Sequence, residues 1–112
     1  MEKIVIGIDV SKLTLDICIQ ENGVNRFDTI ANTEKAIKSF LKQFVKRQNI
    51  LIGMENTGRF NILLYNVLIQ HSFAVYVINP LHLKKSMGLV RGKNDKIDSE
   101  RIAVFLLKNH MD

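Results

Sequence analysis

The sequence is poor in everything that staples or punctuates a chain: 112 residues hold one cysteine, one proline and no tryptophan. A single thiol excludes an internal disulfide and a thiolate zinc site, and Cys18 falls in an alternating stretch where a small buried residue fits. No apolar run, residues 4–8 and 73–78 among them, approaches the roughly 20 residues that span a bilayer. The start Met1-Glu2-Lys3-Ile4 also lacks a secretory pattern. A membrane-embedded or exported protein is therefore not expected, and the expected location is cytoplasmic. There are no internal repeats and no low-complexity tract, which excludes solenoids and long linkers. What remains is ordinary globular composition, 46% apolar and 24% charged, at a length that suits one domain. Sixteen Lys and Arg against eleven Asp and Glu give a net charge of +5, a modest excess that favours a polyanionic partner.

The apolar pattern orders the elements. Ile4-Val5-Ile6-Gly7-Ile8 is a β-branched run ending on Asp9, as a central strand buried on both faces reads. Residues 13–20 alternate apolar with polar, Glu21-Asn22-Gly23 supplies a turn, and residues 24–30 return as a third strand. Thr33 is placed to cap a helix whose buried stripe is Ala36, Ile37, Phe40, Leu41, Phe44 and Val45. A second short apolar run, Ile50-Leu51-Ile52-Gly53-Met54, also ends on a carboxylate, Glu55, and the turn Asn56-Thr57-Gly58 leads into a helix over about 59–70. Residues 73–78 form a further buried strand, stopped by Pro80. The pattern weakens over 81–94, where a short helix or mobile loop is expected, and a last helix runs from Asp95 to about Asn109. Its apolar surface is wide enough to be packed on by the sheet, a second copy or further sequence. Three antiparallel strands, a helix, then strand, helix and strand predict a mixed five-stranded α/β sheet with parallel crossovers.

Four carboxylates stand out against this frame. Asp9 and Glu55 end two strands that, if adjacent and parallel, open at one sheet edge, where α/β sheets bind ligands. Asp95 and Asp98 are three residues apart at the start of the last helix and share a face. Such a cluster repels itself unless divalent cations lie between its members. All-oxygen donors suit Mg²⁺ or Mn²⁺ and not zinc. Two such ions about 4 Å apart suit phosphodiester cleavage. Setting the four aside leaves sixteen basic residues against seven acidic ones, a basic rim around an acidic centre. Each acid also has a plainer role open to it: Asp9 as a turn residue, Glu55 as a cap for the following helix, and Asp95 with Asp98 as a capping box. Asp16, Glu21, Asp28 and Glu34 read as solvated or capping groups.

At Gly7-Ile8-Asp9-Val10-Ser11-Lys12, Met54-Glu55-Asn56-Thr57-Gly58 and residues 91–99, Arg-Gly-Lys-Asn-Asp-Lys-Ile-Asp-Ser, the chain resembles the DEDD transposases of bacterial insertion sequences. That family includes the Piv-type invertases and the bridge-RNA-guided recombinases. The resemblance implies a ribonuclease-H-like, RuvC-like fold over residues 1–112 and an acidic tetrad at Asp9, Glu55, Asp95 and Asp98. It also implies Mg²⁺ (or Mn²⁺), and DNA strand cleavage and transfer in transposition or site-specific recombination. It further implies DNA as partner, a guide RNA in some members, and assembly as dimers or tetramers. In the family a second, C-terminal domain carries a nucleophilic serine; nothing here corresponds to it, and the chain is expected to be an N-terminal fragment.

Lys84, Lys85, Arg91, Lys93 and Lys96 lie just before or within the acidic helix start, and Lys12 follows Asp9 closely; all six are candidates for holding phosphates. Ser11 is a further candidate beside Lys12. Residues 84–98 are expected to be mobile without metal. The first loop also resembles the phosphate loop of actin-like ATPases and sugar kinases, although those have glycine where Ser11 stands. A stand-alone Holliday-junction resolvase would keep the same tetrad and need no serine domain. A non-catalytic nucleic-acid-binding module would fit the basic balance but leaves the four acids unexplained.

Overall fold

The computed structural model describes residues 3–71, 73–79 and 95–109, the side chains of 95–98 and 109 excepted. The expected short helix or loop over 81–94, its mobility, and Lys84, Lys85, Arg91 and Lys93 lie outside the described residues.

Five strands form one sheet in the order β3-β2-β1-β4-β5. They are β1 (Ile4–Val10), β2 (Thr14–Glu21), β3 (Val24–Ala31), β4 (Ile50–Glu55) and β5 (Ala74–Ile78). The first three are antiparallel, while β4 runs parallel to β1 and β5 parallel to β4, as the pattern predicts. Asn22 and Gly23 both take positive φ in the β2–β3 turn, the conformation a tight two-residue hairpin needs. Asp9 is the penultimate residue of β1, so the strand runs one residue past the expected end.

Alternation along the strands splits the core into two layers. Ile4, Ile6 and Ile8, Leu15, Ile17 and Ile19, and Ile50, Ile52 and Met54 point to one face and pack with Ile37, Phe40, Leu41 and Phe44 of the first crossover and Leu64, Val67 and Leu68 of the second. Val5, Cys18 and Leu51 point to the other face, beneath Ala103 and Leu106 of the last helix.

Helix α1 (Glu34–Leu41) starts as expected, with the Thr33 hydroxyl accepting from the Ala36 amide. It stops earlier than its apolar stripe suggests. After Leu41 the backbone tightens into three-residue steps, Phe44 N–H to Leu41 C=O and Arg47 N–H to Phe44 C=O. These turn Phe44 into the core and leave Val45 54% exposed. The second crossover is also shorter than expected: a single 3-10 turn, Gly58–Asn61, precedes α2 (Ile62–Leu68). Strand β5 is not buried as expected among the described residues, because it is the sheet edge and leaves Tyr76 and Val77 exposed. Helix α3 (Asp95–Asn109) has the expected bounds. Of the three coverings open to its apolar surface, the sheet is the one found: Ile102, Ala103 and Leu106 are buried.

Candidate metal and nucleic-acid site

The site is built on the register of β1 and β4. Gly7 pairs with Gly53 and Ile8 with Met54, so Asp9 and Glu55, one residue further on, stand at one level at the carboxyl ends of their strands. Ile8 and Met54 belong to the α1 face; by alternation Asp9 and Glu55 belong to the α3 face. Both are half-buried.

The two glycines explain how α3 reaches that edge. A Cβ on Gly7 would overlap the backbone of Ser99 and Ala103, and one on Gly53 would meet Leu106 Cδ2 at 3.1 Å. Without side chains here the sheet carries a trough, and α3 lies in it with Ser99 and Ala103 against β1 and Leu106 against β4. Running back from Ser99, the helix axis leads toward the carboxyl ends of β1 and β4. Asp95, Lys96 and Asp98 are therefore on the first turn of α3, at the edge where Asp9 and Glu55 emerge. The side chains of these three are outside the described residues. Among the described residues no three Asp, Glu, His or Cys side chains are grouped so as to hold a metal ion.

The backbone of Glu55 is fixed by a side chain that the sequence pattern does not single out. Asn61 is 6% exposed; its Nδ2 donates to the Glu55 carbonyl at 3.0 Å, while its Oδ1 accepts from both the amide and the hydroxyl of Thr57 at 2.6 Å. Asn56 Oδ1 accepts from Gly58 N–H. Capping of this turn falls to the two asparagines, which leaves the Glu55 carboxylate out of the role that the plainer reading gave it. Asn32 does similar work for the opposite loop. Its Nδ2 donates to the carbonyls of Ser11 at 2.9 Å and Phe60 at 3.3 Å, tying together the loops that follow β1 and β4.

Lys12 is exposed in the β1–β2 loop, at the same end of the sheet as Asp9. Ser11 is less available than expected. Its hydroxyl donates to the Thr14 carbonyl at 2.8 Å and accepts from the Thr14 amide, which closes the loop around it.

Asp16, which the sequence reading set aside, has a place beside these acids. It is the cross-strand partner of Asp9, so it shares the α3 face, half-buried, instead of standing free in solvent. The signal was present in the parity of the hairpin: Asp16 alternates with Leu15 and Ile17, as Asp9 does with Ile8 and Val10.

A mixed sheet of this order with an acidic edge under a terminal helix is the RuvC-like form of the ribonuclease-H fold. T. thermophilus RuvC, solved in complex with a Holliday junction substrate, matches it with a TM-score of 0.60, covering 95% of each chain at 13% identity. The chain belongs to the DEDD transposase family: the family described as Transposase matches residues 6–112. A relative, the pilin gene-inverting protein of Moraxella bovis, is 27% identical over 117 residues, which take in 98% of this chain and 36% of that protein. The chain thus spans about a third of the length of that relative. Membership in this family leaves the ATPase and sugar-kinase reading without support. No helix among the described residues is long and apolar enough to cross a membrane.

Proposed function

We propose that residues 1–112 form one RuvC-like catalytic domain for metal-dependent DNA strand cleavage and transfer, serving transposition or site-specific recombination. The observation that carries this is the parallel register of β1 and β4, which sets Asp9 and Glu55 side by side on the α3 face. Family membership and a relative named for gene inversion support the same reading, as does the fold shared with a protein solved on a Holliday junction. Proteins of this class generally use divalent metal ions, and the donor set fits a hard cation: carboxylate oxygens, with no thiolate or imidazole in the tetrad.

In this reading Asp9, Glu55, Asp95 and Asp98 hold Mg²⁺ or Mn²⁺. The bound ions supply activation of the attacking oxygen and stabilisation of the leaving one. The chain's own residues set the geometry. Asn61 holds the Glu55 backbone, Asn32 ties the two loops together, and the glycine trough seats α3 so that its first turn faces the strand pair. Lys12, Lys84, Lys85, Arg91, Lys93 and Lys96 hold phosphates of the substrate. The partner is DNA, with a guide RNA and assembly into dimers or tetramers completing the proposal, and the location is cytoplasmic.

The test is calorimetric titration of Mg²⁺ and Mn²⁺ into the wild type, Asp9→Asn and Asp98→Asn, with and without a branched DNA. Binding lost in both variants places both carboxylates on one metal centre. Unchanged behaviour across all three returns these acids to capping roles.

A further inference from the structure

The antiparallel register makes Asp16 the direct partner of Asp9. Carboxylates directly opposite one another on a strand pair repel each other. Asp16 is also held in place: Thr29, its partner on β3, donates its hydroxyl to Asp16 Oδ1 at 2.8 Å. That bond draws the carboxylate toward β3, on the side away from β1. Asp16 and Thr29 help line a cavity of about 280 Å³ that Ser99 also borders. Ser99 is fully buried and follows Asp98 in the chain, so the cavity abuts the start of α3. Asp9, Asp16 and Glu55 do not form a three-residue metal-binding group. Asp16 stands beside Asp9 with its Oδ1 engaged by Thr29.

We propose that Asp16 is a positioning residue for the metal centre. Held by Thr29, it adds a fixed negative charge beside Asp9 that draws a divalent cation to this edge. The inference rests on the reading of Asp9 and Glu55 given above. A divalent cation at this edge is attracted by both carboxylates, so the Asp16 charge favours the loaded state over the empty one. A unit charge one strand away from a divalent ion, in partly solvated surroundings, changes the binding constant roughly fivefold.

The experiment uses Asp16→Asn, which keeps the shape of the side chain and an acceptor for Thr29 while removing the charge. Mn²⁺ is titrated into wild type, Asp16→Asn and Asp9→Asn, free Mn²⁺ is followed by its electron paramagnetic resonance signal, and melting temperatures are recorded without metal. The expected result is Mn²⁺ binding roughly fivefold weaker in Asp16→Asn, with a metal-free melting temperature equal to or above that of wild type. The difference in affinity should narrow as KCl is raised from about 0.05 to 0.5 M, as screening requires. Wild-type affinity in Asp16→Asn overturns the inference and leaves the metal reading standing, provided that Asp9→Asn has lost binding. A lowered melting temperature with unchanged affinity also overturns it, since that is the signature of a packing role. Absence of Mn²⁺ binding in the wild type, with branched DNA present, overturns the metal reading itself and this inference with it.

Discussion

The carbonyl of Ser99 lies in the space that a side chain on Gly7 would need. Helix α3 can approach β1 this closely only because position 7 has no Cβ. Gly7→Ala is therefore expected to lift the start of α3 off the sheet, at a cost of about 3 kcal/mol, the upper part of the range for overpacking. Gly53→Ala meets only side-chain methyls, tightly that of Leu106 and more loosely those of Ile102 and Ile78, and should cost about 1 kcal/mol. Urea denaturation of the two variants measures the difference, and equal losses would mean that α3 does not rest on β1 in this way.

Asn61→Ala removes the donor to the Glu55 carbonyl and the acceptor for two Thr57 donors in one step. Buried groups left unsatisfied cost about 1–3 kcal/mol, and a loss of about 2 kcal/mol is expected. Because the freed carbonyl is that of Glu55, Mn²⁺ binding should weaken as well. A stable variant with wild-type metal affinity would remove Asn61 from the support of the site.

Asn32→Ala cuts the tie between the Ser11 and Phe60 carbonyls. Its expected cost is about 1 kcal/mol, that of an ordinary hydrogen bond. Hydrogen exchange should rise first in the loops after β1 and β4 and not in the strands themselves. Uniform exchange across the domain would argue that Asn32 only supports global stability.

Cys18 offers a pH-dependent readout. Burial, and secondarily the charge of Glu100, pushes its thiol from 9.0 up to about 11. The fold thus favours the neutral thiol. Its contribution to stability is fully present below pH 9.0 and is lost as pH rises through about 11. Labelling with a thiol reagent at pH 8 should be slow in the native protein and fast in urea. Rapid native labelling would show that α3 opens from its face of the sheet.

Much of this architecture is legible in the sequence because it rests on periodicity. β-branched runs, the Asn22-Gly23 turn and the Thr33 cap declare the meander and the first crossover, and the two runs that end on Asp9 and Glu55 declare the carboxyl edge. What the pattern hides depends on pairing and on local hydrogen bonding. Asp16 looks like any polar residue of an alternating strand until register sets it beside Asp9. Asn61 and Asn32 act through carbonyls distant in sequence, which no spacing rule captures. The early end of α1 follows from three-residue backbone steps that keep Phe44 inside, so an apolar stripe alone overestimates the helix by a turn.

The pairing of Gly7 with Gly53 has a bearing on how such a chain tolerates divergence. Side chains on the α1 face are interchangeable fillers as long as volume is kept, whereas the interval between neighbouring strands is a backbone constant of about 4.8 Å. The lateral spacing of Asp9 and Glu55 is inherited from that constant. Drift among the isoleucines and leucines can remake the core while the ruler between the two acids stays the same. A single-residue slip of β4 against β1 would do what many core substitutions cannot, because it would carry one acid to the opposite face.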